Sequence, residues 1–411
     1  MRKILIAAVL LGGALALSLT WGQEPTNKGP GNLVPAKLIL ESPPAKRDLS
    51  KLSRVESQGY LNGQRGTEWL VRSNQSDGRF LFGYLPALRT PMKGDHYLTQ
   101  VEAVHALGRA ARFYQNNQAT AIARQAVLTL LQDTTIDSKD ATIRTTSLPS
   151  TLVNRLAAAG YLVLAIHALP EPAKDLVDQA RQLENFVRKQ QRADGSLIVT
   201  EGESKIDVEA VNHYTGPALR ALAVGGQFDM VRRARPHYFK WWQEHKNMAM
   251  VPGHTAAYAE AYVQTREQAF ADAVFEMNDW LCALQYQQPD ERRPLWLGGF
   301  KTWSDGKEVS EAPEAGSALY IESLCQACRV ARKAGDVRRF QRYSQAAQRG
   351  LSFLGTLQFT EANTQHFADW YRPILVGAFH ASHQDGNLRL DYTSRAVSAL
   401  VQYMESVADI R

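Results

Sequence analysis

From about residue 60 onward the chain reads as a succession of helix-length segments of two kinds. One kind is small and apolar almost all round: "VNRLAAAGYLVLAIHAL" (153–169), "TGPALRALAVGG" (215–226), "EAGSALYIESLCQACRVAR" (314–332) and "SRAVSALVQYM" (394–404). A helix apolar on most sides is buried on most sides. The other kind is amphipathic: "AKDLVDQARQLENFVRKQQ" (173–191), "REQAFADAVFEMNDWLCALQ" (266–285) and "VRRFQRYSQAAQRGLSFLGTLQ" (337–358). Such a helix buries one stripe and leaves a charged face in water. Several of these end in Gln: Gln132, Gln191, Gln285 and Gln358.

The half-exposed kind falls near 60–73, 117–132, 172–190, 227–246, 266–287 and 336–358. The buried kind falls near 98–116, 149–168, 207–224, 254–264, 313–335 and 389–407. Strict alternation with a period of roughly 50–65 residues is the mark of a solenoid or a closed ring. Six hairpins suit closure, because a ring has no apolar ends to cap. The expected fold is all-α, with six inner helices lining an axis and six outer ones wrapping them. Only "SLIVTEG" (196–202) and "NLRLDY" (387–392) look strand-like. Asp77-Gly78, Asp194-Gly195 and Asp385-Gly386 are expected in corresponding loops, with Phe80, Leu197 and Leu388 tucked under the ring. Gly supplies positive φ there, and Asp bonds the local backbone.

The amino terminus has a different character. "MRKILIAAVLLGGALALSLTWGQE" has a basic start followed by an apolar run and small residues at Ala14 and Ala16, the layout of a secretory signal. Residues 23–55 are rich in Pro, Gly and polar residues and read as a linker or arm. The chain thus divides into a signal segment (1–22), an arm (23–55) and a toroid domain (56–411). The expected location is periplasmic or extracellular, with membrane attachment only through an uncleaved N-terminal segment. Net charge is +6 over 411 residues, without a Lys/Arg block interleaved with aromatics, so nucleic acid is not an expected partner. Cys282, Cys325 and Cys328 are too few for a disulfide scaffold. Cys325 and Cys328 lie inside a helical pattern and read as small residues on a packed face.

The alternation resembles the α/α toroids, or (α/α)6 barrels, which include terpenoid cyclases, prenyltransferase β subunits, lanthionine cyclases and many carbohydrate-active hydrolases, lyases and epimerases. Gln75, Asp77, Gly78 and Phe80 are similar to the Gln–Asp-Gly–aromatic signature of the cyclase repeats. "EAGSALYIESLCQACRVARKAGDVRRFQRY" (314–343) resembles the inner–outer hairpin of the carbohydrate-active members. The resemblance covers about 60–411 and implies architecture, since many functions share the fold. The group's acidic D-x-D-D run, its Cys-His-Gly zinc stretch and its thioester site have no counterpart in this sequence. The carbohydrate-active group, or a member without catalysis, is what the resemblance leaves.

In such a ring the funnel is built where inner helices begin and free N–H groups point. Those starts are "GDHY" (94–97), "DVEAVNHY" (207–214), "PGHTAAY" (252–258), "EAPEAGSALY" (311–320) and "RLDY" (389–392), joined by "HFADWYRPILVGAFHASH" (366–383). Candidate catalytic groups are Asp95, His213, Tyr214, His254, Glu314 and Asp391. Candidate substrate contacts are Tyr97, Tyr258, Trp370, Arg372, Arg389 and Tyr392. Paired carboxyls would serve a glycosidase. A Tyr or His base with an Arg would serve a lyase or epimerase. Asp95 and Asp391 are also natural helix caps. All twelve are expected in one cleft that takes a glycan or small molecule, with neither metal nor cofactor. The readings carried forward are a carbohydrate-active enzyme, a non-catalytic envelope protein binding glycan or peptide, and a terpenoid-cyclase-like toroid or interaction scaffold.

Overall fold

The computed structural model describes residues 49–200, 207–304, 306–408 and 410. The expected signal segment and the arm as far as residue 48 lie outside them. Among the described residues no helix is long and apolar enough to cross a membrane.

Six outer helices, α1 (Arg54–Ser73), α3 (Asn117–Leu131), α5 (Lys174–Lys189), α7 (Phe228–Glu244), α9 (Gln268–Ala283) and α11 (Val337–Thr356), alternate with six inner ones. The inner helices are α2 (Tyr97–Tyr114), α4 (Arg155–Ala168), α6 (Val208–Val224), α8 (Met250–Thr265), α10 (Ser317–Ala334) and α13 (Leu390–Ser406). A single turn, α12 (Arg372–Leu375), lies in the last long loop. Each inner helix packs on the next, and α13 packs back on α2, so the ring is closed. This is the (α/α)6 toroid that the alternation predicts. Apolar burial explains the inner helices: Ala157, Ala158, Ala159, Leu162, Val163, Ala165 and Ile166 of α4 are all inaccessible to solvent.

Five hairpins are consecutive in the chain, from α2 with α3 through α10 with α11, while the sixth pairs α13 with α1. The last and first helices of the ring therefore form one repeat. Gly59, Gly63 and Gly66 of α1 recur on one face, and an added Cβ at any of them would press on α11, α13 or the Tyr114 hydroxyl. A capping box between Ser53 and Glu56 starts α1 at Arg54, so the ring begins slightly before the expected boundary at 56.

Among the described residues eight short strands lie in the loops: β1 (Gly83–Leu85), β2 (Thr90–Pro91), β3 (Thr134–Ile136), β4 (Arg144–Thr146), β5 (Thr302–Ser304), β6 (Lys307–Val309), β7 (His380–Ser382) and β8 (Asp385–Arg389). They form a sheet in the order β2-β1-β8-β7 and two separate hairpins. The sheet joins the first loop to the last, with Tyr84 opposite Leu388, and so ties the seam a second time. Of the two strand-like stretches, 387–392 contributes to β8, while the described part of the other, 196–200, contributes the bridge of Leu197 to Gln191. The hairpin β3–β4 fills 134–146 and delays α4 to Arg155, where Asn154 caps it.

The repeating loop follows the outer helices, and one of its expected members is wrong. Four bridges recur: Asn74 with Phe80, Gln191 with Leu197, Gln285 with Phe300 and Gln358 with Phe379. Gln191, Gln285 and Gln358 each donate from Nε2 to a loop glycine carbonyl (Gly195, Gly298, Gly377) and to a carbonyl of the next outer helix in the ring (Met230, Ala346, Asn62). The terminal glutamine thus staples α5, α9 and α11 each to the next outer helix. Gly195 and Gly377 have φ of +87° and +96°, and a Cβ there would lie 2.1 and 2.3 Å from the Arg233 and Arg65 carbonyl oxygens. The fourth loop glycine is therefore Gly377, not Gly386, which sits in strand β8 with open space around it.

Candidate functional site

A cavity of about 340 Å³ opens at the mouth where the inner helices begin. Its wall comes from the first halves of α2, α6, α8, α10 and α13, with Tyr161 and Leu164 of α4. Gly216 and Gly253 bring α6 and α8 into backbone contact along this wall, since a Cβ on Gly216 would lie 2.8 Å from the Gly253 Cα.

The polar groups lie deeper than the helix starts, one or two turns down each helix. On α13, Arg395 donates to Glu102 of α2 at 3.0 Å and to Asp391 at 3.2 Å. Its burial opposes the positive charge, but Glu102 and Asp391 outweigh it and raise its pKa. Glu102 also accepts a hydrogen bond from Tyr161, whose pKa burial and the Glu102 charge together push up. Below them Glu322 of α10 accepts from Arg109 at 3.0 Å and from the Ser398 hydroxyl at 2.9 Å. Burial would protonate Glu322, yet Arg109 and Arg220 prevail and hold its carboxyl below the usual range. Arg109 is fully engaged, donating also to Gln402 and Glu405. This network forms the floor.

Two lining groups carry less compensation. Among the described residues Arg220 of α6 makes one ion pair, 3.5 Å to Glu322; burial lowers its pKa, opposed by Glu322 and Glu260 and reinforced by Arg109 and Arg329. His105 of α2 is pushed well below 6.5, first by burial and then by Arg220, Arg109 and Arg112. That shift favours the neutral imidazole. The cavity thus combines a neutral imidazole, two tyrosine hydroxyls (Tyr161 and Tyr214) whose pKa values are raised by burial, and two carboxylates paired with arginine.

The twelve residues expected in one cleft are dispersed. His213 and Tyr214 line the cavity, with His213 3.3 Å from Glu209 at the rim. Asp391 stands behind the wall, buried, holding Arg395 and Arg389. It lies in the first turn of α13 and caps nothing; Arg389 holds the N-cap position and stacks over Tyr392. Asp95 is exposed and accepts from Arg79 and Gln100, while its neighbour His96 caps α2. Tyr97 points outward and donates to the Leu130 carbonyl. His254 and Tyr258 are 0% exposed on the outward side of α8, against Tyr238 and Phe270. Their helix turns them from the axis by about 100° per residue relative to the lining Gly253. Glu314 is exposed ahead of α10. Trp370, 65% exposed, and Arg372, tied to Asp369, lie on the long loop outside the cavity lining.

The groups that were not anticipated are Glu102, His105, Tyr161, Arg220, Glu322 and Arg395. Their signal is present in the sequence as polar residues at spacings of three and four inside otherwise apolar helices. Glu102, His105 and Arg109 form one such stripe, Glu322, Gln326 and Arg329 a second, and Arg395, Ser398 and Gln402 a third. Cys325 and Cys328 are buried on α10, and burial pushes both thiols up. Among the described residues no cluster of His, Cys, Asp or Glu could hold a metal ion.

Neither a protein-family model nor a curated protein sequence matches the chain. Solved structures do match it in shape. Unsaturated glucuronyl hydrolase from Bacillus sp. GL1 is 13% identical, with 85% of this chain and 97% of that one covered and a TM-score of 0.57. An inactive variant of an α-1,6-mannanase from Salegentibacter sp. is 10% identical, with 84% and 98% covered and a TM-score of 0.56. A type II terpene cyclase from Scytonema is 13% identical, with 86% and 99% covered and a TM-score of 0.50. All are (α/α)6 toroids, and at these identities the likeness establishes the fold.

Proposed function

We propose that this chain is an exported carbohydrate-active toroid that acts on an acidic sugar by proton abstraction, as an epimerase or lyase, in the cavity at the helix-start mouth. The observation that carries this reading is the charge pattern of the cavity: arginine-paired carboxylates beside a neutral histidine. A two-carboxyl glycosidase needs a carboxyl that keeps its proton near neutral pH. Glu322 is held the opposite way. The volume, about 340 Å³, suits one or two sugar units. Further support is the fold shared with an enzyme described as degrading glycosaminoglycan and with a mannanase.

In this reading Arg220, with one distant counter-charge, faces the sugar carboxylate. His105 accepts the proton from the carbon beside that carboxylate. The three arginines that depress His105 are the charges an anionic substrate would offset, so substrate binding raises its basicity. Tyr161 and Tyr214 retain their protons and serve as donors.

The test is NMR of uronate-containing oligosaccharides in D2O with the purified protein. Deuterium should enter at the carbon beside the carboxylate, or an unsaturated product should appear. His105→Gln should abolish this with the melting temperature retained. Hydrolysis of glycans without exchange would replace the reading with a hydrolase, and binding without turnover with a glycan-binding protein. Export rests on the basic start and apolar run. Mass spectrometry of protein from its host should show loss of the first 16 to 22 residues; a soluble cytoplasmic form retaining Met1 would overturn it.

A further inference from the structure

Beyond the floor, the opposite mouth of the ring opens into a second cavity of about 710 Å³. We propose that it is a separate binding site, for a small ligand carrying an oxyanion group of the phosphate or sulfate kind. The proposal is independent of the function assigned to the first cavity.

Charge is the first ground. The wall presents Arg109, Arg112, Arg220, Arg329 and Lys333, answered by Glu260 and Glu405 of the wall and by Glu322 of the floor. Those carboxylates are already committed, Glu405 to Arg109 at 3.0 Å and Glu260 to Arg329 at 3.3 Å. The second ground is unused donor capacity. Arg112 donates to the His167 and Leu169 carbonyls and, among the described residues, pairs with no carboxylate. Lys333 makes no ion pair among the described residues.

Basic residues near helix C-termini ordinarily answer the helix dipole, which acts over the last turn. That accounts for Arg112, Arg332 and Lys333. It does not account for Arg109, Arg220 and Arg329, which stand a full turn or more before the ends of α2, α6 and α10. Burial lowers the pKa of both Arg112 and Arg220; Glu405 and Glu322 respectively pull the other way, ahead of a lowering by Arg109. A forked guanidinium array in a walled cavity suits the oxygens of a tetrahedral oxyanion.

The test titrates the full-length protein with sodium phosphate and with sodium sulfate, ionic strength being held constant with sodium chloride. Calorimetry and melting temperature are the readouts. Both oxyanions should give a saturable response that chloride does not. Lys333→Glu and Arg112→Gln should each weaken the apparent affinity by about tenfold or more, as expected for removing or reversing a charge beside a bound oxyanion. Lys240→Glu, the same charge change on the exposed face of α7, should leave it unmoved. A sulfated disaccharide that binds more tightly than inorganic sulfate would identify a glycan as the source of the group, and equal binding would identify the free ion. No saturable response in the unaltered protein would overturn the proposal. So would equal weakening by Lys333→Glu and Lys240→Glu, the signature of general screening.

Discussion

His254 lies wholly inside the wall between α7 and α8, where its Nδ1–H donates to the Met250 carbonyl at 3.0 Å. Burial pushes its pKa down to about 4, partly opposed by that hydrogen bond. The native protein keeps the ring neutral, whereas the unfolded chain protonates it near 6.5. Between these values the unfolded state binds more protons, so stability falls as pH drops from 6.5 toward 4, by on the order of 3 kcal/mol in all. Melting temperatures at pH 7 and 4.5 should show this fall, and His254→Gln should lessen it by the His254 share, with His105 acting in the same direction; an undiminished fall would place the acid sensitivity elsewhere. Asp391 makes the complementary case. It binds Arg389 at 2.9 and 3.0 Å and Arg395 at 3.2 Å with almost no exposure. Replacing it with Asn should cost about 2 kcal/mol, the scale of a buried charged hydrogen bond, rather than the small change expected of a helix cap. A urea midpoint unchanged from that of the unaltered protein would refute the positioning role.

At the scale of elements, the loop glycines give the sharpest contrast. Gly377→Ala must place a Cβ 2.3 Å from the Arg65 carbonyl oxygen at φ +96°. A loss of about 3 kcal/mol is expected from combined strain and overpacking. Gly386→Ala meets open space and should change stability by less than about 0.5 kcal/mol. Equal effects in denaturant titrations would undo the assignment of the repeat. The two glycines also show what the sequence conveys. Helices are legible because their apolar periodicity is local, and the alternation of two helix kinds needs no distances across the chain. The stapling loop is legible only when compact, as from Gln191 to Leu197. Between Gln285 and Phe300, and between Gln358 and Phe379, inserted residues hide the spacing, and Asp385-Gly386 imitates it. The site was less legible than the fold. His213 and Tyr214 sit near a helix start, where free N–H groups mark a funnel, while Glu102, His105, Arg220, Glu322 and Arg395 sit in helix interiors. Which face of an inner helix meets the axis depends on its neighbours, and that information is not local.

For the whole molecule, the seam is the controlling feature. Because α13 packs on α10, α2 and α1, removing it would open the ring, expose α1 and delete Arg395 from the cavity. A chain ending at Arg389 should lose cooperative melting altogether, and one sharp thermal transition for the full chain should become a broad or absent one. Two stable halves released by limited proteolysis would contradict a single closed ring. The seam also sets an order of events during biosynthesis. Trp69 of α1 donates its indole hydrogen to the carbonyl of Ile374, a partner 305 positions later. At translation rates of about 5–20 residues per second, α1 waits roughly 15–60 s for that partner to be made. Its glycine-lined face stays bare for the whole interval. The nascent chain therefore cannot complete its architecture on the ribosome before nearly all of it has emerged, and the first helix of the ring is among the last to find its place.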